Sequence, residues 1–88
     1  MWYSVLKREL TLQEKFAGSD VVIRAGGVYK VSKHLVDGQV GVRAVHVDEL
    51  EKVMYFSPEE ARGIFTTPTR NLDSAIEESF MVCEAVYC

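Results

Sequence analysis

The sequence contains little cysteine, little proline and no long apolar run. Only two of its 88 residues are cysteines and only two are prolines. No stretch approaches the roughly 20 apolar residues that a membrane-spanning helix needs. The N-terminal residues also lack the basic-then-apolar order of a signal peptide. These absences predict a cytoplasmic protein that makes no contact with a membrane.

The two cysteines, Cys83 and Cys88, are too few for a zinc site of the usual kind. Residues five apart on a strand point to opposite faces, which is poor geometry for a disulfide between them. Reading residues 81–88 as a strand therefore predicts two reduced thiols, and leaves open whether the terminal Cys88 is reactive.

An excess of basic charge is also absent. The formal net charge is −3, the sequence pI is about 5.3, and the ten Lys and Arg residues are scattered. Tight non-specific binding to a phosphate backbone needs a concentrated basic patch, so nucleic acid is not the first partner to expect. The length indicates one small β-rich domain, 1–88, of modest stability. A homodimer would add buried surface, and the sequence leaves that open.

The clearest element is a β-hairpin around Asp37-Gly38. Asp-Gly favours a type I′ turn, in which both central residues need a positive φ. This turn places Val36 opposite Gln39 and Tyr29 opposite His46, and it sets which side chains share a face. The row predicted to face the core is Tyr29, Val31, Leu35, Val40, Val42 and Ala44.

Further elements follow from local patterns. Short apolar runs predict strands at residues 21–24 and 53–56. Ser57, Pro58 and Glu60 carry the signature of a capped helix. A second short helix is predicted over 71–79, with Leu72, Ala75, Ile76 and Phe80 on one side, followed by a closing strand at 81–88 paired with residues 2–6. Residues 9–17 are compatible with a helix or a loop.

The stretch from residue 20 to residue 65 resembles the small SH3-like barrels that are frequent in phage and bacterial accessory proteins. The resemblance rests on Gly27-Val28-Tyr29-Lys30-Val31, then the hairpin, then Phe56-Ser57-Pro58-Glu59 and a short helix. It implies a mainly β (α+β) fold, either an SH3-like barrel or a bent antiparallel sheet with one or two short helices. Such folds host many unrelated functions, so the resemblance implies a fold and not an activity.

No catalytic or cofactor-binding motif emerges from the residue order. His46 with Asp48, Glu49 and Glu51 has the side chains of a metal or acid–base site. However, a histidine opposite Tyr29 can pack on the tyrosine ring without binding a metal. Acidic residues in a connection between two strands are usually solvated. The prediction is therefore a protein that is not an enzyme and has neither a metal nor another cofactor.

Three binding hypotheses remain. The first is a protein-binding module, an inhibitor or adaptor of a larger host protein, that uses an acidic and aromatic surface. Its predicted contact residues are Tyr55, Glu59, Glu60, Asp73, Glu77 and Glu78. The second is a nucleic-acid-associated module that uses a basic hairpin face. Its predicted residues are Arg24, Lys30, Lys33 and Arg43. The third is a binder of a small nucleotide-like ligand at a dimer interface.

Overall fold

A four-stranded antiparallel sheet with two helices organises the chain, and this confirms the predicted α+β class. The computed structural model describes residues 1–13, 20–50 and 52–86. Its elements, in chain order, are β1 Trp2–Val5, β2 Leu10–Gln13, β3 Asp20–Ile23, β4 Val28–Val36, β5 Gln39–His46, β6 Val53–Phe56, α1 Pro58–Ile64 and α2 Leu72–Val86. The main sheet has the order β1-β4-β5-β6, and β2 and β3 form a separate pair.

The β4–β5 hairpin has the predicted register. Val36 lies opposite Gln39 and Tyr29 lies opposite His46. Asp37 and Gly38 both have positive φ, 51° and 78°, as a type I′ turn requires. The strand predicted at 53–56 is also confirmed as β6, which pairs antiparallel with β5.

The predicted core row is only partly buried. Tyr29 and Ala44 are 1% and 0% exposed, whereas Leu35 and Val40 are 69% and 51% exposed. The reason is the length of the neighbouring strands: β1 reaches only to the level of Val31, and β6 pairs only from Val42 onward. The tip of the hairpin therefore extends beyond the rest of the sheet, and its apolar side chains leave the core.

One face of the sheet is covered by α1. The helix begins as predicted, because the Ser57 hydroxyl accepts a hydrogen bond from the Glu60 N–H and the Glu60 side chain returns to the Ser57 N–H. Ile64 and Phe65 at its end join Leu6, Tyr29, Ala44 and Met54 in a buried cluster. This face of the sheet is called the α1 side below.

The opposite face is covered by α2, and here the predicted closing strand is wrong. Residues 81–86 continue the helix that begins at Leu72, so they do not pair with β1. β1 pairs instead with β4 on one edge, and with the extended segment around Thr69 on the other. Ala75 and Val82 of α2 pack against Val5 and Val28. This face is called the α2 side.

For residues 9–17 the sequence is compatible with a helix or a loop. Leu10–Gln13 is neither, because it forms strand β2 and pairs antiparallel with β3. The remainder of that segment, 14–17, lies outside the described residues. The strand predicted at 21–24 is confirmed as β3, which begins one residue earlier and ends at Ile23.

Cys83 is disulfide-bonded, so the predicted reduced thiol at this position is wrong. The prediction relied on a strand over 81–88, whereas Cys83 lies in α2. Cys88 lies outside the described residues. None of the helices in the described part of the chain combines the length and the apolar content needed to cross a membrane.

Candidate functional site

Helix α2 is held firmly at its start and in its middle. The Asn71 side-chain oxygen accepts hydrogen bonds from the N–H groups of Asp73 (2.9 Å) and Ser74 (3.4 Å), which is N-cap geometry. The Ser79 hydroxyl donates to the Gly26 carbonyl oxygen, in the turn before β4. These contacts fix the rotation of the helix about its own axis, and so fix which side chains face outward.

The outward-facing side of α2 carries large apolar residues. Leu72 is 38% exposed, Ile76 is 40% exposed and Phe80 is 68% exposed. Their spacing of four residues places them in one stripe along the helix, because an α-helix has 3.6 residues per turn. Met81, 67% exposed, lies further round the helix. Exposed apolar side chains that form a contiguous patch are typical of interaction sites.

An acidic row runs beside this stripe. Asp73, Glu77 and Glu84 are exposed, and their spacings of four and seven residues place them on one line next to Phe80. The described part of α2 has no basic residue in its last turn to offset them. We call the stripe and the row together the α2 outer face; it consists of Leu72, Asp73, Ile76, Glu77, Phe80 and Glu84.

The structure separates the six residues predicted to contact a protein partner. Asp73 and Glu77 lie in the acidic row, whereas Glu78 is on the half-buried flank of the same helix. Glu59 and Glu60 are in α1, on the other side of the sheet. Tyr55 is 59% exposed on β6, where its ring lies 4.8 Å from that of His34.

The four basic residues of the nucleic-acid hypothesis are also divided. Lys30 and Arg43 point to the α2 side, since they lie in register with Val45 and Ser32. Lys33 is on the α1 side, and Arg24 is exposed in the connection between β3 and β4. The hairpin therefore presents two cations on one face and one on the other.

His46 organises the connection between β5 and β6. Its Nδ1 atom accepts hydrogen bonds from the N–H groups of Asp48 (3.1 Å) and Glu49 (3.2 Å). Its ring packs edge-on against Tyr29 at 5.1 Å, as the hairpin register predicts. The hydrogen-bonded ion pair with Lys52 holds the pKa of the Glu49 carboxyl below its usual value.

These contacts give His46 and Glu49 a structural role. A nitrogen that already accepts two backbone hydrogen bonds has no lone pair left for a metal. Within the residues that the structure describes, no group of three or more His, Cys, Asp or Glu side chains is arranged to hold a metal ion. Glu51 lies outside those residues.

The orientation of α2 is the feature that sequence reasoning missed. The sequence predicts Leu72, Ala75, Ile76 and Phe80 on one side of the helix, and of these four only Ala75 is buried. A signal existed in the spacing of Ala75, Ser79 and Val82. These are small or β-branched residues on one side of the helix, and small side chains let a helix lie close to a sheet. Leu72, Ile76 and Phe80 are larger than these residues, and they dominate the hydrophobic pattern of the helix.

Comparisons with known proteins give no relative from which a role could be carried over. No family model matches this chain, and neither a curated protein nor a solved structure matches it. The resemblance to SH3-like accessory proteins therefore stays a prediction.

Proposed function

We propose that this protein is a non-enzymatic protein-binding module whose docking surface is the α2 outer face. The observation that carries the proposal is the stripe of Leu72, Ile76 and Phe80, left uncovered on a helix whose opposite side is already packed. Burying an exposed side chain of this size is worth about 1.5–3 kcal/mol, so the stripe favours association with an apolar surface.

The acidic row identifies the kind of partner. Asp73, Glu77 and Glu84 would border the contact, where charge decides orientation and association rate more than affinity. The complementary partner carries apolar side chains flanked by Lys or Arg. An amphipathic basic helix, laid along α2, has both features at the same spacing. Binding of this kind would let the module mask or bridge a basic surface of a larger protein, as an inhibitor or adaptor does.

The experiment measures binding of two synthetic 18-residue helical peptides by fluorescence anisotropy. One peptide has Leu on one face and Lys on the other, and the second has Glu in place of Lys. We expect the wild-type protein to bind the basic peptide at least about tenfold more tightly, a difference of about 1.4 kcal/mol. The preference should shrink as salt is raised, because the charges at the border of the contact are solvent-exposed.

Two matched pairs of variants locate the contact. Phe80→Ser should weaken binding of the basic peptide, whereas Leu35→Ser, which changes an equally exposed apolar residue at the hairpin tip, should not. Glu77→Lys should reduce the preference for the basic peptide, whereas Glu59→Lys on α1 should leave it unchanged. Equal binding of both peptides, or equal effects within either pair, would overturn the assignment of this surface.

A further inference from the structure

A second surface lies on the opposite side of the sheet, between α1 and the start of β1. It is a groove with a volume of about 800 Å³, and it opens above β4 and β5 beside the segment 65–68. Volumes of this size are typical of small-molecule sites. The apolar part of its lining comes from Trp2, Val31, Val42, Pro58, Ala61, Phe65 and Pro68. We call it the α1 groove.

The charged residues of the α1 groove all have one sign. Lys7, Lys33 and Arg62 line it, and they come from three separate parts of the chain: the segment after β1, β4, and α1. No Asp or Glu is found among its described lining residues, although the chain has 13 acidic residues against ten basic ones. None of the three cations makes an ion pair within the described structure, where the ion pair found joins Lys52 and Glu49.

A buried hydroxyl lies at the base of the same groove. Ser4 is 1% exposed and belongs to the groove lining, and its Oγ atom has no hydrogen-bond partner. The neighbouring Thr66 hydroxyl accepts a hydrogen bond of 2.9 Å from the Val5 N–H. Buried polar atoms are nearly always satisfied, and an unsatisfied one beside a groove indicates a missing partner. The Oγ atom is enclosed, so a ligand oxygen would reach it only if part of the lining moved.

We propose that the α1 groove binds a small amphipathic organic anion, with a hydrocarbon body and one carboxylate. The apolar lining would bury the body, and the positive charge that Lys7, Lys33 and Arg62 give the lining would attract the carboxylate. Its oxygen is also the acceptor that the Ser4 hydroxyl lacks. Seven of the fourteen lining residues are apolar and four carry hydroxyl groups, and this apolar half favours a hydrocarbon body. This binding is independent of the α2 outer face, because the two surfaces lie on opposite sides of the sheet.

The test compares probes that share one body and differ in head group. Octanoate, octylammonium and 1-octanol are titrated into the full chain, and inorganic phosphate is titrated separately, while ¹H–¹⁵N NMR shifts are recorded. We expect octanoate to bind at least tenfold more tightly than the other three probes. The shifted amides should belong to residues near the groove, such as Val31, Val42 and Phe65, and not to residues of the α2 outer face.

Two cations of β4 provide the matched variants. Lys33→Gln should weaken octanoate binding severalfold, whereas Lys30→Gln, three residues earlier on β4 and on the α2 side, should not change it. Ser4→Ala should also lower octanoate affinity, and it should leave the weaker octanol binding unaltered. The proposal is overturned if octylammonium or octanol binds as tightly as octanoate, if phosphate does, or if Lys33→Gln and Lys30→Gln behave alike.

Discussion

Tyr29 is the side chain around which the buried cluster on the α1 side is built. It is 1% exposed, and its ring makes edge-on contacts with His46 at 5.1 Å and Phe65 at 5.6 Å. Aromatic pairs in this arrangement add about 0.5–1.5 kcal/mol beyond the burial of their surface. Burial raises the pKa of the Tyr29 hydroxyl, and the negative charge of Glu49 raises it further. The folded protein therefore resists ionisation of this residue.

This shift predicts a loss of stability in alkaline solution. A pKa that is higher in the folded state gives a stabilising contribution that is complete below the unfolded value, about 10. The contribution disappears as the pH rises from that value through the folded pKa. We expect the free energy of unfolding, measured in urea, to fall above about pH 10 in the wild type and to fall less steeply in Tyr29→Phe. Tyr55→Phe, at an exposed ring, is the control, and an equal flattening there would contradict the assignment to Tyr29.

Two glycines show how the same substitution has opposite effects in different elements. Gly38 is in the hairpin turn at φ 78°, and no atom lies within 4 Å of the place where a Cβ would be. Gly63 is in α1, where the place of a Cβ is equally open. The space around the two residues is therefore alike, and only the backbone conformation differs.

Gly38→Ala should destabilise the protein by about 1 kcal/mol, because an L-residue at positive φ is strained. Gly63→Ala should stabilise it by up to about 1 kcal/mol, since alanine has the higher helix propensity. Urea unfolding of both variants beside the wild type measures the two effects. A loss of stability in Gly63→Ala would show that α1 is limited by something other than helix propensity.

Elements with strong local signals were the ones that sequence reasoning predicted. The Asp37-Gly38 turn and the Ser57–Glu60 capping box each specify a conformation within a few residues, and both are observed. The end of α2 has no such signal. Met81-Val82-Cys83 reads as a strand because its residues are apolar and partly β-branched, yet packing of Val82 against the sheet keeps it helical. The two binding surfaces depend on this packing, so the sequence alone does not locate them.

At the scale of the whole molecule, one sheet has to hold two separate cores together. Val5 and Leu6 are adjacent and both 0% exposed, but Val5 belongs to the cluster under α2 and Leu6 to the cluster under α1. β1 also pairs with β4 and with the segment around Thr69, so neither cluster can open without disturbing the same strand. A small domain has little stability to divide between independent parts.

This arrangement predicts that both sides of the sheet unfold together. Leu6→Ala should cost about 2–5 kcal/mol and Val5→Ala about 1–3 kcal/mol, because each removes buried methyl groups and leaves a cavity. Unfolding in urea is followed by far-ultraviolet circular dichroism, which α2 dominates, and by the fluorescence of Trp2 on the α1 side. In each variant, both probes should show a transition that is shifted to the same midpoint. Leu35→Ala, at the exposed hairpin tip, should change stability by less than about 0.5 kcal/mol. If Val5→Ala shifted only the circular dichroism transition, α2 would be a separately folding element, and its outer face would be free to rearrange when a partner binds.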